Sequence, residues 1–142
     1  MPNMEQVSIE ELEYLAELFA DQMQREVGNK PGYRIINMGK LQSSLTLPFQ
    51  VIEDNELYPT LIDKASILYY LCIKNHPFED GNKRMGIFSL LLFLFKNGYW
   101  INSSNQQLFN ITVHTASSKT DEMYSVLNEI QKFIQENLVK ID

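Results

Sequence analysis

The chain has 142 residues, 44% hydrophobic and 21% charged, which suits a single globular domain over residues 1–142 with room for a hydrophobic core. Eighteen acidic against twelve basic side chains leave a net charge of −6, so there is no global attraction to nucleic acid and no DNA or RNA partner is expected. The lone cysteine, Cys72, excludes an internal disulfide and lies in an apolar stretch, as a small buried hydrophobe in a reducing compartment would.

Helix signals dominate the chain. Ser8 and Glu11 form a capping box, and Ile9, Leu12, Leu15, Ala16 and Phe19 recur on one face of a helix that ends near Val27, before Gly28. Residues 29–32 are turn formers and predict a loop. A short helix follows over 38–45, capped by Asn37. Residues 46–58 break the pattern: Pro48, Phe49, Val51 and Ile52 precede the polar turn Glu53-Asp54-Asn55, giving two short extended pieces around a turn. An exposed strand edge there would accept a partner's backbone, although the composition alone slightly favours an ordinary loop. Pro59 opens the next helix, which runs to about Asn75 with Leu61, Ile62, Ala65, Leu68, Tyr69 and Cys72 as its stripe. A helix from Asn82 or Lys83 to Asn97 is apolar nearly all round and should be central, with Gly98 at its C-terminal cap. Residues 105–116 predict another helix. Thr120 caps the last one, where Met123, Val126, Leu127, Ile130, Phe133, Ile134 and Leu138 keep helical spacing. The polar N-terminus lacks a signal pattern, and the longest apolar run, 87–95, is too short to span a bilayer. A cytoplasmic protein with no membrane partner is therefore expected.

The chemistry concentrates in His76-Pro77-Phe78-Glu79-Asp80-Gly81-Asn82-Lys83-Arg84-Met85-Gly86. Each dipeptide in it is compatible with an ordinary turn, and Asn82 with a simple helix cap. Together, a base, a carboxylate, two cations and a glycine before an apolar helix suggest a site for a nucleotide phosphate. His76 is the natural general base, since an imidazole titrates near neutrality. Asp80 is the candidate ligand for Mg²⁺, which takes only one or two protein carboxylates. Gly81 lets the backbone approach a phosphate, and Asn82, Lys83 and Arg84 are candidates to hold its oxygens, Arg84 as a fork and Lys83 as a point charge. Phe78 belongs to the same nucleotide-binding loop, as an anchor in the core more than a substrate contact. A zinc site is disfavoured: the two histidines, His76 and His114, and Cys72 lack ligand spacing, and His114 is read as structural or solvated.

These residues resemble the active-site loop of the Fic/Doc family, whose pattern His-x-Phe-x-(Asp or Asn)-(Gly or Ala)-Asn-(Gly or Lys)-Arg is met at every fixed position. Residues 32–48 and 91–98 resemble the flanking segments of that family, so the likeness runs from about Glu13 to about Leu138. The resemblance implies an all-α Fic fold, a helical bundle of about six helices with a short β-hairpin flap that positions the target. It also implies ATP and Mg²⁺ as cofactors and transfer to a hydroxyl of a protein target. Lys83 stands where AMP-transferring members carry glycine and resembles the Doc branch, which moves the γ-phosphate. Gly81, where Doc-type loops carry alanine, leaves AMP transfer as the alternative, and a non-catalytic binding module is a third reading. Ser125 with Glu129, and Ser118 with Glu122, have the spacing of the family's inhibitory helix. Neither pair is followed by the expected glycine or asparagine, and the second arginine of the loop is missing. No built-in inhibitor is read. A separate antitoxin and a translation factor as target are what the Doc likeness implies.

Overall fold

The computed structural model describes residues 4–28 and 34–141, so the loop expected over 29–32 lies outside the described residues. In chain order the elements are α1 (Ile9–Val27), α2 (Met38–Thr46), a 3-10 turn (Leu47–Phe49), β1 (Val51–Ile52), β2 (Asn55–Glu56), α3 (Leu61–Lys74) and α4 (Asn82–Lys96). These are followed by β3 (Tyr99–Ile101), α5 (Asn105–Ser117), a second 3-10 turn (Thr120–Glu122), α6 (Met123–Asn137) and β4 (Leu138–Lys140). The all-α bundle with a small hairpin is thus borne out, with six α-helices among the described residues.

α3 is the axis of the bundle. Ala65, Ile67, Leu68, Tyr69, Cys72 and Ile73 are almost wholly buried, and α2, α4, α5 and α6 all pack against the helix. Its closest neighbour is α4, and Gly86 explains why: a Cβ there would stand 2.5 Å from Ile73 Cγ1, so only glycine permits the approach. α4 is buried through Met85, Leu90, Phe93 and Leu94, as expected of a helix apolar nearly all round. α1 lies across α4. Phe19 stacks on Phe88 with ring centroids 3.9 Å apart, and Lys96 Nζ donates to both carboxylate oxygens of Glu11, at 2.7 and 2.9 Å. Burial alone would raise the Glu11 pKa, but hydrogen bonds from Lys96 and Ser8 outweigh it and hold the carboxyl below its ordinary value.

The Ser8–Glu11 capping box and the Asn37 cap form as expected, and Gly98 follows α4 with a φ of 86°. Several expectations need correction. Pro59 precedes α3, which is capped by Thr60 in a box with Asp63, because the Thr60 hydroxyl can accept the Asp63 N–H. Thr120 lies inside a 3-10 turn and does not cap α6. Leu138 leaves the helix and pairs with Ile101 in the β3–β4 ladder. Residues 47–49 form a 3-10 turn where an extended piece was expected; Pro48 suits its first turn. The two extended pieces after it are real but only two residues each, joined as an antiparallel hairpin with Glu53 and Asp54 at positive φ.

Candidate functional site

The site is assembled where α3 ends and α4 begins. Asn75 closes α3, and its side-chain amide donates to Ser44 Oγ at 2.9 Å, tying the loop to α2. His76 comes next with a φ of 46°, in the left-handed region that costs a non-glycine residue energy. That turn leaves the imidazole exposed while sending Pro77 and Phe78 inward. Phe78 is 1% exposed, as expected of an anchor in the core, and it pins the loop.

Two sets of bonds then fix the loop. On one side runs a short antiparallel strip: Ile36 N–H and Asn37 N–H donate to Pro77 O at 2.9 and 3.2 Å, and Glu79 N–H donates to Arg34 O at 2.7 Å. Arg34 Nη2 adds a surface ion pair to Glu79 at 2.6 Å. On the other side, Asn82 Oδ1 accepts the Phe78 N–H and Asn82 Nδ2 donates to Phe78 O, both at 3.0 Å. The Asn82 amide therefore spans the loop like a backbone rung. What it retains for a phosphate is its backbone N–H and its second amide hydrogen.

Gly81 turns the chain into α4 with a φ of 73° and offers no side chain to cap it. By contrast α1, α2, α3 and α5 are all capped by a side chain. The first N–H groups of α4 have no intrahelical partner. Those N–H groups and the helix dipole lie at the start of a buried helix whose first turn also carries the exposed residues Lys83 and Arg84. Asp80 Oδ1 accepts the Gly81 N–H at 2.7 Å, and its exposed carboxylate has a second oxygen for a cation. No group of three or more His, Cys, Asp or Glu able to hold a metal exists among the described residues. A cation at Asp80 would complete its shell with water and phosphate oxygens, as Mg²⁺ does beside a nucleotide. The residues present therefore fit a Mg²⁺-nucleotide: one carboxylate, an anion-ready helix start and an exposed imidazole.

A groove of about 400 Å³ leads away from this junction, lined by Ser43, Thr46, Leu47, Gln50, Leu71 and Asn75. It joins the base of the β1–β2 hairpin to the residue before His76. A smaller cavity of about 220 Å³ lies between α1 and α4, with Glu26 and Arg84 in its wall. His114 takes no part in the site; its Nε2 lies 2.6 Å from Glu129 on α6. Ser125 Oγ donates to Glu122 O within its own helix start. Cys72 is buried against Ser89, and burial pushes its thiol up to about 11, so it is no nucleophile. No helix among the described residues is long and apolar enough to cross a membrane.

Sequence reasoning located the loop but missed its supports. Arg34 and Ser44 brace the loop, and neither carries a local signal, because their partners lie 45 and 31 residues away in the chain.

The fold and the junction define an all-helical protein that presents an exposed histidine beside a helix start with no side-chain cap. Residues 7–94 match the sequence model of the Fic/DOC family, well over half of the chain, and the chain belongs to that family. The match begins before Glu13 and stops at residue 94, so α5 and α6 lie beyond it. Members typically use ATP with Mg²⁺, and membership points to a protein-modifying transferase. No curated protein matches the chain.

Proposed function

We propose that this protein is a Doc-like, toxin-type phosphotransferase that moves the γ-phosphate of ATP to a serine or threonine hydroxyl of a target protein. The observation that carries the reading is the exposed His76, held at positive φ beside the uncapped start of α4 that bears Lys83. In this reading the target hydroxyl gives its proton to the His76 imidazole as its oxygen bonds to the γ-phosphorus. The bond from that phosphorus to the bridging oxygen breaks, and ADP leaves. The α4 N–H groups, Lys83 and Arg84 hold phosphate oxygens, and Gly81 lets them approach the backbone. Asp80 would hold Mg²⁺, which offsets phosphate charge when bound. The exposed Val51 and Ile52 edge of the hairpin, above the groove, suits an extended target segment. A cytoplasmic setting, a translation factor as target and an antitoxin as silencing partner complete the proposal, all drawn from the likeness to Doc.

Transfer of AMP is the second reading, favoured by Gly81. Its φ of 73° is strained for an alanine, so the loop is shaped for glycine at that point. Incubation with Mg²⁺, a cell lysate and ATP labelled at either the α- or the γ-phosphate separates the two, with His76→Ala as control. Label from γ alone, lost in the variant, supports phosphotransfer. Label from α moves the assignment to AMP transfer. Label from neither moves it to a non-catalytic binding module.

A further inference from the structure

Lys64 is the least expected buried side chain in the molecule. It lies in the first turn of α3 and is 2% exposed. A cation there sits against the positive end of the helix dipole and gives up its hydration, two costs that an apolar residue would avoid. Its partners account for the choice. The ammonium donates to Glu56 Oε1 on β2 at 2.9 Å and to Tyr58 O in the link that follows. It also lies 5.3 Å from the centre of the Phe49 ring in the 3-10 turn. One charged group thus grips the turn before the hairpin, the second strand of the hairpin and the segment after it.

The hairpin has little else. Its strands are two residues each, and Val51, Ile52, Asn55 and Glu56 are all exposed. A two-stranded hairpin without a buried face is marginal in water. The hairpin base, Gln50, lines the groove that ends at Asn75, next to His76. Since α3 carries Lys64 at its start and Asn75 at its close, a rigid helix sets the spacing between hairpin anchor and base.

We propose that Lys64 is a positioning residue. Its ammonium orders the β1–β2 hairpin on α3 and so fixes the edge that presents a target segment to His76. The last clause rests on the transferase reading above; the ordering of the hairpin does not. Glu56 is half exposed and keeps its solvation when its partner is removed, and methionine fills the buried site with an apolar side chain, so Lys64→Met is expected to fold.

The test uses amide hydrogen exchange of the full chain without ligands, comparing wild type, Lys64→Met, Lys64→Arg and Glu56→Gln. Amides of the hairpin are expected to exchange about tenfold faster in Lys64→Met, with those of α3 and α4 unchanged and the effect partly reversed in Lys64→Arg. Glu56→Gln, which leaves the carbonyl of Tyr58 and the Phe49 ring in place, should give a smaller increase confined to the same amides. In labelling with γ-labelled ATP, Lys64→Met should need about tenfold more lysate protein to reach half-maximal rate, with a similar plateau, as expected when only target binding is lost. Unchanged hairpin exchange in Lys64→Met overturns the proposal, and so does an increase spread over the whole bundle. If Lys64→Met is too unstable to measure, Glu56→Gln decides by the same criterion. A wild type that labels nothing overturns the transferase reading, and hairpin exchange alone then decides the role of Lys64.

Discussion

The loop that begins at Asn75 and the hairpin that follows Gln50 are joined by one groove, and they are held by opposite means. The loop is bonded from both sides, by the strip from Arg34 to Asn37 and by the Asn82 amide, and it is pinned by Phe78 in the core. The hairpin has two-residue strands, exposed apolar side chains and one buried ammonium beneath it. In the proposed transferase reading the difference separates two tasks. Chemistry on a phosphate needs groups held to within fractions of an ångström, so the loop is over-determined. A surface that receives another chain gains from exposed edges and spare apolar area, and such segments are drawn from the least stable parts of a fold.

The sharpest way to break the comparison is at His76. His76→Ala should lower transfer by about 10²–10⁴-fold with the melting temperature nearly unchanged, measured by single-turnover labelling and calorimetry. His76→Gly should be equally inactive yet more stable than His76→Ala, by about 1 kcal/mol, because glycine accepts the positive φ. If the two melt alike, the loop stores no strain at this residue. Asn82→Ala comes next. Losing both bonds to Phe78 leaves a partly buried N–H and C=O unpaired, for an expected loss of about 2–3 kcal/mol in chemical denaturation. A loss well under that value would mean that the strip from Arg34 to Asn37 holds the loop unaided.

Gly86→Ala probes the scaffold under both regions. Its Cβ would meet Ile73 Cγ1 at 2.5 Å and push α3 from α4, costing about 2 kcal/mol. Combined with Ile73→Ala, the two costs should be less than additive in a double-mutant cycle, since each relieves the other. The smallest effect concerns Glu11, remote from the site. Its folded pKa lies below the ordinary 4.5, so its stabilising contribution is complete at neutral pH and is lost as pH falls through the folded value. The melting temperature of Glu11→Gln should therefore trail the wild type at pH 7 and converge with it below pH 4.5. A constant gap across that range would assign the Lys96 contact no electrostatic role.

The loop residues and the helices were legible because their signals are local. A capping box at Ser8, a glycine with positive φ at 98 and apolar residues at helical spacing need no partner elsewhere in the chain. Boundaries failed where two local rules competed. Pro59 and Thr60 both suit a helix start, and the hydroxyl cap of Thr60 decided between them. At Leu138 the helical stripe continued on paper, but pairing with Ile101 drew the residue into a strand. The sequence reads Phe78 as an anchor in the core, and its 1% exposure agrees.

By itself the sequence determined the helical class, the helix-facing residues and the cluster of base, carboxylate, glycine and cations. These follow from spacing over a few residues, which the backbone turns directly into faces and turns. Tertiary structure alone decided which of those residues point outward and what holds them there. The exposure of His76, the turning of the Asn82 amide into the loop and the burial of Lys64 under the hairpin depend on how the chain packs around each residue, which no spacing pattern announces. A solvated cation and a buried one are the same letter, and only the surrounding packing distinguishes their energies.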